Sequence, residues 1–137
     1  MSDPNLSVVV RSFEWFNAVM ANPQAVIDRE QVEKRFTADA RMIANGQVKC
    51  AGIDGHVRHF QELQRKLSHF RIRLPLELTV SAGDRCAAYY LIDYATADGV
   101  RGTIHDNALW TIREGRIAQM VETVYFEGSE VALDNHV

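Results

Sequence analysis

The chain has little of several things, and each shortage excludes a class. Two cysteines among 137 residues, Cys50 and Cys86, are too few and too far apart for a disulfide scaffold. They read as buried, reduced thiols. Three prolines and eight glycines exclude a collagen-like or low-complexity chain. No stretch approaches the roughly 18 apolar residues of a membrane span. The start, Met1-Ser2-Asp3-Pro4-Asn5, lacks the basic head and apolar core of a signal peptide. Gly-rich phosphate loops, nucleophile elbows and zinc-type Cys/His sets are missing. Fifteen Lys and Arg against eighteen Asp and Glu leave a formal charge of −3, a poor match to nucleic acid or an anionic membrane. These shortages lead to the expectation of a cytoplasmic protein with no nucleic-acid or membrane partner, no metal and no organic cofactor.

What is present is ordinary for a globular domain: 47% hydrophobic and 24% charged residues. The length suits one domain of the usual ~100–200 residues. Residues 1–137 are expected to form a single unit with an ordered core over about 5–128.

Leu6, Val9, Val10, Phe13, Asn17 and Met20 fall at helical spacing, which predicts a helix over about residues 5–21. Asp3-Pro4 is its start signal and Asn22-Pro23 its stop. Asp28 with Gln31 resembles a capping box for a short second helix running to about Phe36. Asn45-Gly46, between Ala40–Ala44 and Gln47–Ala51, is a strong hairpin signal. A third helix from about Asp54 to Ser68 carries the stripe Val57, Phe60, Leu63 and Leu67.

From Phe70 the period becomes two. Phe70, Ile72, Leu74, Leu76, Leu78 and Val80 alternate with polar residues, which predicts one long half-buried strand with a bulge or edge at Pro75. Turns at Gly83-Asp84, Asp98-Gly99 and Glu114-Gly115 then separate strands over about 85–97, 101–113 and 116–127. Short turns between long strands require an antiparallel meander. The predicted class is α+β, a curved, mostly antiparallel sheet wrapped around three N-terminal helices.

Three stretches carry a family resemblance: Phe36-Thr37-Ala38-Asp39-Ala40, then Gly52-Ile53-Asp54-Gly55, then Trp110-Thr111-Ile112-Arg113-Glu114-Gly115-Arg116-Ile117. In that order they resemble the nuclear transport factor 2-like superfamily, the cystatin-like cone. More narrowly, they resemble its SnoaL-like polyketide cyclase and ketosteroid isomerase branch. The resemblance implies a cone-shaped α+β barrel with an apolar pocket and carboxylates on the inner strand faces. It implies chemistry on protons next to a carbonyl or on an epoxide, and homodimers paired through the outer sheet face.

The resemblance also points to an acid five residues after Ile117, which is Glu122. Its side chain belongs either inside the cone or on the wet face of an edge strand. Asp106 is read from alternation. Ile104, Asp106, Ala108, Trp110 and Ile112 share the more apolar face of their strand, so Asp106 should point inward. It is either a base or hydrogen-bond donor, or a satisfied structural acid. His105 then points the other way. No carboxylate stands near Ala44, where the isomerases keep their base, and Phe13 has no hydroxyl where they have a tyrosine.

Asp106 and Glu122 are therefore the catalytic candidates, expected on neighbouring rungs with one pKa raised. Trp110, Tyr90, Phe16, Trp15 and Met120 are the candidate substrate-binding residues. His56-x-x-His59-x-x-Glu62 and the basic groups around Arg65 and Arg71 are read as solvated faces rather than a metal site. The expected function is a small cofactor-free enzyme of cyclase, isomerase or hydrolase type, its class isomerase-, cyclase- or lyase-like, doing acid/base chemistry on an apolar small molecule in a cone-shaped pocket. The alternative is a non-catalytic ligand-binding or dimerisation module of the same fold.

Overall fold

A computed structural model describes residues 3–127. The tail after Gly128, expected to fray, lies outside the described residues. The elements are α1 (Pro4–Ala21), α2 (Arg29–Glu33), β1 (Phe36–Ala44), β2 (Gln47–Ala51), α3 (Gly52–Lys66), β3 (Leu67–Ile72), β4 (Leu78–Ala82), β5 (Arg85–Thr96), β6 (Arg101–Arg113) and β7 (Arg116–Glu127).

Asp3 caps α1 by accepting from the backbone of Asn5 at 2.9 Å and Leu6 at 3.0 Å. Val9, Phe13, Phe16 and Met20 form the buried stripe of α1. Asn17 lies beside that stripe and clamps the sheet. Its amide donates to the Ile72 carbonyl at 2.9 Å and accepts from the Ile72 N–H at 2.8 Å. That satisfies backbone groups on the free side of β3. The capping box of Asp28 and Gln31 opens α2. The helix stops at Glu33, three residues short of expectation, because Phe36 already begins β1.

Asn45 and Gly46 both take positive φ, 49° and 82°, as a two-residue hairpin turn demands. The sheet order is β2-β1-β7-β6-β5-β3, with β4 also on β5. Every pairing is antiparallel except β1 with β7. The sheet is mixed and strongly curled, with the helices inside the curl.

One expected strand is two. The run over 70–81 breaks at residues 73–77, where Pro75 has no N–H and restricts Leu74. Ile72 pairs with Ile92, whereas Leu78 pairs with Tyr89. Six residues advance on one side while β5 advances three, and this odd excess flips the face. Leu78 and Val80, expected in the core, are therefore 69% and 64% exposed.

Cys50 and Cys86 are buried and free. No helix among the described residues is long and apolar enough to cross a membrane.

Candidate active site

Period two along β6 buries Ile104, Asp106, Ala108, Trp110 and Ile112 on one face. Tyr90 stands opposite Asp106 on β5, and its hydroxyl donates to Asp106 Oδ2 at 2.9 Å inside the protein. On the other side Asp106 pairs with Val124, and Ala108 pairs with Glu122. Asp106 and Glu122 are thus diagonal neighbours on adjacent strands, within reach of each other. The parallel pairing of β1 makes β7 an interior strand, with Ala44 beside Glu122. An edge-strand position for Glu122 is therefore excluded. Asn45 ties the hairpin to this place: its N–H donates to the Glu122 carbonyl at 2.9 Å, and its side chain accepts from the Val124 N–H at 2.9 Å.

Asp106 is 1% exposed and Glu122 8%. Burial raises both carboxyls, because a charge is poorly solvated there. Glu122 rises well above its ordinary value, with Asp106 beside it adding to the effect and the Lys49 charge opposing it. Asp106 rises less, because interactions with Glu122 and the Tyr90 hydroxyl favour its charged form. Of the two, Glu122 is held further above its ordinary value, so the pair titrates as a unit in which Asp106 is the stronger acid. Burial also keeps the Tyr90 phenol protonated, well above its usual range. Among the described residues Asp106 Oδ1 accepts from no backbone, amide or hydroxyl donor, and the Asp106 carboxyl is hydrogen-bonded to that of Glu122.

Both carboxyls open onto one cavity of about 80 Å³ between α1, α3 and the sheet. Trp110, Tyr90, Phe16, Trp15 and Met120 all stand on its wall. Phe13, Phe60 and His59 join them from the helices. The cavity is about half the ~150 Å³ that admits benzene.

His56 and His59 depart from the expected solvated face. His56 is 1% exposed, lies 4.7 Å from the Phe36 ring, and donates through Nδ1 to the Gly52 carbonyl at 2.7 Å. Burial, then the nearby charges, push the His59 pKa down to about 4, so it is a neutral imidazole. The signal was present in the sequence: Ile53, His56, Phe60 and Leu63 are one buried stripe at helical spacing. Glu62 does face solvent, paired with Arg65 and with Lys66 at 3.4 Å. His105 lies outside the cavity, accepting from the Tyr89 hydroxyl at 2.7 Å and bonding to Glu127. Among the described residues no group of three His, Cys, Asp or Glu is placed to hold a metal ion.

No family model matches this chain, and no curated protein matches it by sequence. Solved structures do. An NTF2-like protein of unknown function from Burkholderia pseudomallei superposes with a TM-score of 0.74 at 16% identity, covering 99% of this chain and 100% of that one. TerC, co-crystallised with polyporic acid, gives 0.70 at 18%, covering 91% and 92%. A candidate SnoaL-like polyketide cyclase from Jannaschia sp. gives 0.69 at 18%, covering 88% and 85%. At these identities the likeness shows the fold, which is NTF2-like.

Proposed function

We propose that this chain, an NTF2-like fold closed over a carboxyl-bearing apolar cavity, is a cofactor-free acid/base catalyst of the SnoaL-like cyclase, isomerase or hydrolase type. The observation that carries the proposal is a pair of buried, mutually hydrogen-bonded carboxyls, Asp106 and Glu122, on the wall of one apolar cavity. The stronger acid of such a pair, Asp106, can serve as base and Glu122 as acid. A carbon-bound proton adjacent to a carbonyl passes to Asp106 Oδ1. The electron pair left on carbon moves onto the carbonyl oxygen, which accepts a hydrogen bond or the proton from Glu122. Return of the proton from Asp106 to another carbon gives isomerisation; attack of the enolate carbon on a second carbonyl, whose oxygen takes up the proton held by Asp106, gives cyclisation. Tyr90 holds Asp106 in place through its hydroxyl. Trp110, Tyr90, Phe16, Trp15 and Met120 exclude water and hold the apolar body of the substrate.

The cavity volume limits the substrate to something near one small ring unless the walls move. Met42 and Met120 on the wall have the rotamer freedom to enlarge it. The same small volume favours the second reading, a non-catalytic binding module. Proton exchange separates the two. Cyclopentanone and 2-tetralone are incubated in D2O with the wild type and with Asp106→Asn, and loss of the protons next to the carbonyl is followed by NMR. The catalytic reading expects the wild type to exchange at least one probe about 10²–10⁴ times faster than the variant. Equal rates overturn it and leave the binding module.

The proposal includes a homodimer. Leu78, Val80, Leu109 and Val121 are 69%, 64%, 44% and 36% exposed around one patch on the outer sheet face, and a second copy would cover them. Light scattering at micromolar concentration should give twice the monomer mass; the monomer mass counts against it. A cytoplasmic setting belongs to the same proposal, and two free thiols suit a reducing compartment.

A further inference from the structure

Outside the carboxyl pair, three buried side-chain polar atoms lack a hydrogen-bond partner among the described residues: Trp15 Nε1, Tyr94 Oη and Trp110 Nε1. Trp15 and Trp110 stand on the wall of the one cavity. Buried donors in folded proteins are nearly always paired, so each orphan asks for a reason. The acid/base reading leaves the two indoles unexplained.

An indole N–H only donates, so whatever satisfies it is an acceptor. Trp110 is 0% exposed. It shares a face of β6 with Asp106 and, two residues past Ala108, is a diagonal neighbour of Glu122 on β7. Its ring is held from two sides. Tyr90 stacks on it at 6.0 Å and 23°, and Phe13 meets it edge-on at 5.7 Å. Neither neighbour puts an acceptor within hydrogen-bond distance of its N–H. Trp15 is fixed in the same way, by Phe60 at 5.8 Å and by the Arg35 guanidinium 4.6 Å from its ring. Two rigid donors thus belong to residues of an otherwise apolar wall, which also carries the carboxyl pair.

We propose that the Trp110 indole N–H, supported by that of Trp15, is a ligand-binding subsite for an acceptor oxygen. The bound molecule is then a compact apolar compound with two oxygen functions. One meets Asp106 and Glu122, and the other meets the indoles. The assignment of the first end rests on the acid/base reading; the subsite itself does not.

With two tryptophans in the chain, the 15N-labelled protein gives two indole N–H signals, assigned with Trp15→Phe. The probes are cyclohexane-1,4-dione and 4-methylenecyclohexanone, which keeps the shape and one carbonyl but replaces the other oxygen by carbon. The dione should move the Trp110 indole proton downfield and bind about three- to tenfold tighter than the methylene compound. Trp110→Phe should erase that preference. The inference is overturned if the two probes bind equally to the wild type. It is equally overturned if the Trp110 signal keeps its position at saturation, or if the dione does not bind at its solubility limit. Asp106→Asn keeps the two ideas apart. An indole shift that survives in a variant and wild type both inactive in proton exchange supports the subsite and refutes the catalyst. Exchange without an indole shift does the reverse.

Discussion

Replacing Glu122 by Gln should change how stability depends on pH. In the folded protein burial holds the Glu122 carboxyl well above its ordinary value of 4.5, and the neighbouring Asp106 adds to the rise. The unfolded chain releases the same proton at roughly pH 4.3. Between those two values the folded state binds more protons than the unfolded one, so stability falls as pH rises. A full proton of difference costs about 1.4 kcal/mol per pH unit. Below the unfolded value both states are protonated and the cost disappears. Above the folded value it is complete and constant. A glutamine is neutral throughout, so the variant should gain on the wild type by about that amount for each pH unit climbed within the window. For a chain of this size 1 kcal/mol moves Tm by roughly 4 °C, so the two melting temperatures should separate by roughly 6 °C per unit. Urea unfolding of both proteins from pH 4.5 to 7.5 reads this directly. Taking the difference removes the titrations that the two proteins share and leaves that of the Asp106–Glu122 pair. Parallel profiles would mean that Glu122 ionises in the native state as freely as in water, and would refute the reasoning. So would a variant that loses ground as pH rises.

Tyr90→Phe removes the hydroxyl that bonds Asp106 at 2.9 Å, and should cost about 1.5–3 kcal/mol when Asp106 is charged and less when it is protonated; urea titrations at acid and neutral pH check the asymmetry. Gly102→Ala should destabilise by about 1–3 kcal/mol although its backbone is ordinary, because an added Cβ would lie 2.6 Å from the Glu127 carbonyl oxygen and 2.7 Å from Tyr94 Oη; thermal melts read it. Burial pushes the Cys50 thiol up to about 12 and the Cys86 thiol up to about 11, so a disulfide reagent should label neither until urea unfolds the chain, and labelling of the native protein within minutes would contradict this.

Much of the sheet was legible because its signals are local. Asp98-Gly99 and Glu114-Gly115 bracket β6, and period two between them sends Asp106 inward beside Trp110. The same alternation sends His105 outward, and the structure agrees. What was illegible depends on partners remote in sequence. The flip of Leu78 and Val80 follows from how many residues of β5 face the break around Pro75, a matter of register rather than of composition. β7 is an interior strand only because β1 joins it in parallel across some eighty residues of chain. The carboxyl pair shows the same division. Asp106 came from periodicity, whereas Glu122 came from family resemblance. The Tyr90 hydroxyl on Asp106 needed the pairing of β5 with β6 before it could be seen. His56 and His59 were misread for a different reason. Their polarity outweighed their spacing, although that spacing puts His56 in line with Ile53 and Phe60 on the buried side of α3.

The central claim is that Asp106 and Glu122 share one proton inside the apolar cavity. The most direct test is a 13C NMR titration of the side-chain carboxyls, with the two signals assigned from Asp106→Asn and Glu122→Gln. At pH 7 the Glu122 carbon should hold the shift of a protonated acid while Asp106 shows that of a carboxylate. Titration of both carbons near the ordinary carboxylate values, leaving two charges in the cavity at pH 7, would contradict the account.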